Sequence, residues 1–200
     1  MRTWASLVGV VVAATVVAGC GSDPAEKAPP VQGASRHVHA KPLPWNRPDN
    51  QLAQVKAAGL SLTSREMLSV HYHAHLDVFV NGKPVTVPAG LGINIGPNNT
   101  MPAHGDPGIA PLHTHDTTGV LHIEAARDDT FTLGQAFTEW GVLLDPQQAG
   151  AYRNVRVFVN GKRYGGNPAR LVLAEHQEIA VVAGHGGVKV PSSYDFPPGE

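Results

Sequence analysis

The chain predicts an α+β domain, a mostly antiparallel sheet with hairpins and one packed helix, and three features carry that prediction. Residues 71–80 alternate strictly between two sets of side chains, the period of a half-buried strand. Asn81-Gly82 and Asn160-Gly161 each follow a Val-Phe-Val run and precede a lysine, the pattern of a tight type I′ hairpin. Thr132 and Gln135 have capping-box spacing and open a helical stripe of Leu133, Ala136, Phe137 and Trp140.

The chain length of 200 residues allows one domain with a tail. Charged residues make up 16% and the net charge is -1, so there is neither a basic field for nucleic acid nor an acidic tail. With 22 glycines and 17 prolines the domain is loop-rich, and 11 histidines supply an excess of nitrogen ligands.

In chain order, residues 1–19 read as a lipoprotein signal peptide. Arg2 supplies the positive start, and Trp4 to Val17 is an apolar run shorter than the ~20 residues of a spanning helix. Val17-Ala18-Gly19-Cys20 resembles a bacterial lipobox, which implies lipidation of Cys20 and anchoring to a membrane through acyl chains. Cys20 is the single cysteine, so no disulfide and no thiolate ligand are expected. Residues 20–50, rich in Pro, Ala, Gly and Ser, read as anchor and flexible spacer, with His37 and His39 inside it. The globular domain is expected over residues 51–200, with a disordered tail from about 186.

A weak helical pattern covers Gln51 to Leu60. In the strand that follows, Tyr72, Ala74, Leu76, Val78 and Val80 form the core face, while His71, His73, His75, Asp77 and Phe79 point to the other, outward side. Residues 83–88 return as an edge strand, marked by Pro84 and Pro88. Residues 90–118 are a long connection that carries Met101, His104, Asp106 and then His113-Thr114-His115-Asp116; loops of this length are usually functional or disordered. Residues 119–125 repeat the division of the first strand, with Leu121, Ile123 and Ala125 inward and Val120, His122 and Glu124 outward. After the helix come a strand at 155–159, its turn, and a last strand at 178–182. The hexapeptide Val78 to Lys83 recurs as Val157 to Lys162, but only the first copy adjoins histidines.

His73-Ala74-His75-Leu76-Asp77, Val87-Pro88-Ala89, Leu112-His113-Thr114-His115-Asp116, Gly119-Val120-Leu121-His122-Ile123-Glu124 and Phe131-Thr132-Leu133-Gly134-Gln135 together resemble the motif series of a family of secreted or lipid-anchored prokaryotic proteins, over residues 70–183. The resemblance implies an extracytoplasmic domain and brings no activity with it. The strand-helix-strand-strand order at the end of the chain also resembles a β-grasp module.

Residues two apart on a strand point the same way, and two imidazoles can close that gap onto one ion. His71, His73, His75, His113, His115 and His122, with Asp116 and Glu124, are therefore candidate metal ligands. Imidazole and carboxylate without thiolate suit copper first and zinc second. The leading reading is a lipid-anchored metal-binding protein that captures, buffers or delivers copper or zinc, with an envelope protein as a possible partner. Binding is expected to weaken below about pH 6, where protons compete for imidazole. Two alternatives stand beside it. One is a metalloenzyme with an open coordination position and Glu124 or Asp116 as general base; the other is a metal-free envelope interaction module with a pH-sensitive face.

Overall fold

A computed structural model describes residues 38–95 and 108–200. Among the described residues two α-helices, α1 (Gln51–Ala57) and α2 (Leu133–Glu139), accompany nine strands. The strands are β1 (Val70–Val80), β2 (Lys83–Val85), β3 (Leu112–His113), β4 (Val120–Ala125), β5 (Gln148–Ala149), β6 (Tyr152–Arg153), β7 (Arg156–Val159), β8 (Lys162–Tyr164) and β9 (Gln177–Ala183). Seven of them form one sheet in the order β3-β4-β1-β9-β7-β8, with β2 paired to β1, while β5 and β6 make a separate hairpin. The lipobox, Cys20, His37, Met101, His104 and Asp106 lie outside the described residues.

The alternating strand is the centre of the sheet. One edge of β1 pairs antiparallel with β4 through residues 70–75 and with β2 through residues 78–80. Its other edge pairs parallel with β9. All other strand pairings are antiparallel, as expected for this fold class. The two central strands are parallel, antiparallel neighbours flank them, and α2 lies between the halves in sequence.

Both Asn-Gly pairs adopt the left-handed backbone that a type I′ turn requires, with φ of 51° and 77° at Asn81 and Gly82 and 49° and 74° at Asn160 and Gly161. The turns hold opposite ends of β9. Asn81 donates its N–H to the Ala183 carbonyl at 3.0 Å, and Asn160 donates to that of Glu178 at 2.8 Å. Each asparagine Oδ1 then accepts a backbone N–H, from His185 and from Glu178 respectively, both at 2.9 Å. The recurring hexapeptide thus meets the same requirement twice, a tight turn docked on a strand end.

Helix α2 starts where the capping box places it. Thr132 Oγ1 accepts from the Gln135 N–H, and the Gln135 side chain accepts from the Thr132 N–H at 2.8 Å. Its apolar stripe enters the core, where Leu133 and Trp140 are fully buried beside Leu76, Leu121, Ile123 and Ile179 from the sheet. Thr132→Ala should lower stability by about 1 kcal/mol in a urea titration, the ordinary cost of losing an N-cap oxygen.

Two boundary expectations need correction. Residues 38–50 are not a free spacer: Trp45 is 4% exposed within the core. It meets Trp140 edge to face at 5.6 Å, and its carbonyl accepts the Trp140 indole N–H at 2.7 Å. A Pro-rich composition concealed one large apolar anchor. At the other end, residues 186–200 lie against the domain without regular structure: Tyr194 stacks on His75 and Phe196 on His176.

One buried group sets a stability term of its own. Glu139 is 1% exposed, its Oε1 has no hydrogen-bond partner, and burial pushes its pKa well above the usual carboxylate range. The folded protein therefore keeps the proton that the unfolded chain releases near pH 4.5, and stability falls as pH rises beyond that value. Glu139→Gln removes the ionisation and should raise stability by about 1–3 kcal/mol at pH 8 with little change at pH 4, read from urea midpoints.

Candidate metal centre

The histidine site follows from sheet register. Residues opposite one another in an antiparallel pair share a face. His73 faces His122, and His122 on its other side faces His113, so three imidazoles form a row across β1, β4 and β3. His71 faces Glu124 in the next row. His115, just past β3, turns back over the row, its ring 4.8 Å from that of His113 and 4.5 Å from that of His122.

This face was expected to be outward, yet most of it is buried. His73, His113, His122 and Glu124 are between 1% and 8% exposed, whereas the side chains of His71 and His115 keep 39% and 45% exposure. His113 belongs to a strand, not to a loop above the sheet.

Burial decides the charge of these rings. It holds the His113 pKa down to about 3 and that of His122 to about 4, with neighbouring histidines adding to the effect. His73 is lowered for the same reasons. His113 and His122 are therefore neutral imidazoles at neutral pH, the form that binds metal.

The orientation of His113 is fixed as well. Its Nδ1–H donates to the Ala110 carbonyl at 2.9 Å, which leaves Nε2 as a bare acceptor aimed into the cluster. That Nε2 lies 3.2 Å from His115 Nε2, and His73 Nε2 lies 3.0 Å from His122 Nδ1. Two bare nitrogens at such spacing repel, so each pair needs a proton or a metal ion between them. Ligands bound tetrahedrally at Zn–N distances of about 2.0–2.1 Å stand roughly 3.3–3.4 Å apart, close to the His113–His115 spacing.

Glu124 is the hub of the site. Its Oε1 lies 3.6 Å from His71 Nε2, 3.7 Å from His122 Nδ1 and 4.0 Å from His113 Nε2. These separations are too long for hydrogen bonds and suit donors that converge on one point. Its Oε2 is buried with no hydrogen-bond partner, and burial raises the pKa of the carboxyl. A carboxylate left unpaired in this way is costly, and a cation among the neutral histidines would satisfy it.

Among the described residues, three groups place their ligand atoms within 4.8 Å of one another: His113, His115, His122 and Glu124; His71, His73 and Glu124; and His75, Asp77 and Glu178. The first two are open to a metal. In the third, both nitrogens of His75 are engaged, Nδ1 with Glu178 Oε2 at 2.7 Å and Nε2, as donor, with the Thr118 carbonyl at 2.9 Å. Burial opposes charge on His75, but Glu178 and the carbonyl outweigh it and raise its pKa; burial also raises Glu178, so the pair keeps its shared proton to higher pH. Tyr194 seals the ring at a centroid distance of 3.8 Å. His75 is thus hydrogen-bonded in a group of its own with Asp77 and Glu178, apart from the two open groups.

Asp116 also departs from expectation. Its Oδ1 accepts from the N–H and the hydroxyl of Thr118 at 2.8 and 2.5 Å, which shapes the turn between β3 and β4. Two residues were missed in the sequence. Glu66 Oε1 stands 3.7 Å from His115 Nε2, and Glu178 is the partner of His75. Nothing marked Glu66, which lies in an irregular segment; Glu178 would have been found only by pairing the first strand with the last. Among the described residues no helix is long and apolar enough to cross a membrane. Comparison of the chain with protein-family models, curated proteins and solved structures finds no match.

Proposed function

We propose that the chain is a metal-binding protein, anchored by lipid at Cys20 outside the cytoplasm, that captures copper or zinc for buffering or delivery. The observation that carries this reading is the buried Glu124 carboxylate, with nitrogens of His71, His113 and His122 within 4.0 Å and one oxygen unpartnered. His113, His115, His122 and Glu124 are the ligand set; nitrogen and carboxylate oxygen favour copper, and zinc tolerates the same geometry. The lipobox-like tetrapeptide and the motif resemblance support the envelope location. The protein purified from native envelopes should carry near-stoichiometric copper or zinc. A preparation that is metal-free and also fails to bind Cu(II) or Zn(II) overturns the proposal and leaves the metal-free interaction module.

One observation favours a second reading, a metalloenzyme. A cleft of about 240 Å³ adjoins Glu124, lined by Leu60, Thr63, Met67, Pro111 and Phe131 among others. It offers room for a small molecule beside Glu124. A coordination position occupied by exchangeable water in the zinc-loaded or copper-loaded protein would favour that reading; a saturated coordination sphere would favour storage or delivery.

A further inference from the structure

We infer that the histidine face holds two divalent cations bridged by Glu124. The inference rests on the metal-binding reading above and goes beyond it in number and in the role of Glu124.

The first support is donor count. His71, His73, His113, His115, His122 and Glu124 belong to the two open groups, whereas a tetrahedral ion takes four ligands. A single ion on His113, His115, His122 and Glu124 leaves His71 and His73 as surplus. The two groups have only Glu124 in common.

The second support is the carboxylate itself. Oε1 faces histidines of both groups, at 3.6 Å from His71 and at 3.7 and 4.0 Å from His122 and His113. Oε2 is buried and unpartnered. Oε1, with donors of both groups around it, suits a bridge between two ions about 3.5–4 Å apart, the spacing of two-metal centres.

The third support is access. Each group contains one half-exposed histidine, His71 at 39% and His115 at 45%, while the His113, His122 and Glu124 side chains are 0%, 10% and 5% exposed. Each group therefore has one ligand in contact with solvent, at which an incoming ion can first bind.

The test is a metal count on the full chain, stripped with chelator, titrated with Zn(II) or Cu(II) and desalted before elemental analysis. Wild type should retain two ions per chain, and the fully copper-loaded form should show fewer unpaired spins than copper atoms, through coupling across the carboxylate. His71→Ala, at an exposed position, should weaken the second ion by tenfold or more and restore the full spin count. The double variant with His73→Ala should retain one ion, with folding checked by circular dichroism; where the double variant fails to fold, His71→Ala alone decides. One ion in wild type overturns the two-ion inference and leaves the metal-binding reading standing. A second ion that persists undiminished in His71→Ala lies elsewhere and overturns the inference too, and no bound ion overturns both.

Discussion

Replacing His115 by alanine should weaken Zn(II) or Cu(II) binding by at least about 100-fold while leaving the metal-free fold intact. The size follows from chemistry: residues that merely orient a ligand are worth 10–100-fold, so a ligand itself belongs at or above the top of that range. The preservation of the fold follows from exposure, since the His115 side chain is 45% exposed and its contact with Glu66 at 3.7 Å is a surface pair of little weight. His113→Ala should weaken binding to the same degree but also lower stability. It leaves a cavity and an unpaired Ala110 carbonyl at a position 1% exposed. Isothermal titration for affinity, with urea denaturation of the metal-free proteins, separates the two cases. Binding unchanged in both variants would remove His113 and His115 from the site.

The metal-free protein should lose stability steeply in mild acid. The unfolded chain protonates His113 and His122 near pH 6.5, whereas the folded protein resists protonation of these buried rings until about pH 3 and about pH 4. Between those limits the unfolded state binds more protons, so stability is present above pH 6.5 and declines as pH falls. For His113 alone the loss across the window is on the order of 5 kcal/mol, a large share of a domain's total. Glu139 works in the opposite direction, so the decline should be clearest in Glu139→Gln. Saturating zinc adds to stability at neutral pH, about 2.7 kcal/mol at 100 times Kd, and that increment should vanish over the same acid range. Urea midpoints from pH 7.5 to 4, with and without zinc, test this. A flat profile for the metal-free Glu139→Gln protein would show that the histidines are not held neutral by burial.

Local features were legible because local chemistry dictates them. Asn81-Gly82 and Asn160-Gly161 adopt left-handed backbone that few residue pairs tolerate, and Thr132 with Gln135 completes both hydrogen bonds of its box. The alternation in β1 and β4 assigned His71, His73, His122 and Glu124 to one face, and they occupy one face. What alternation could not convey was burial. A face opposite the apolar one is expected to meet water, but here the returning ring of His115 and the C-terminal segment with Tyr194 lie against it. The reading of residues 38–50 as spacer failed for a related reason: composition averages over thirty residues and hides one tryptophan that the core requires.

The sequence by itself determined β1, β4, α2, the two Asn-Gly turns and the histidines that share a face, since these depend on periods of two or 3.6 residues and on backbone preferences within a few positions. Only the tertiary structure decided which of those histidines meet. His73 touches His122 across 49 residues, and His75 meets Glu178 across 103. Such contacts are products of strand order and register, which the core enforces over the whole sheet. That same register separates chemistries that look identical along the chain. Two residues apart on β1, His73 joins the open cluster, while His75 is locked to Glu178 and Thr118 under Tyr194, because β4 lies along one edge of the strand and β9 along the other.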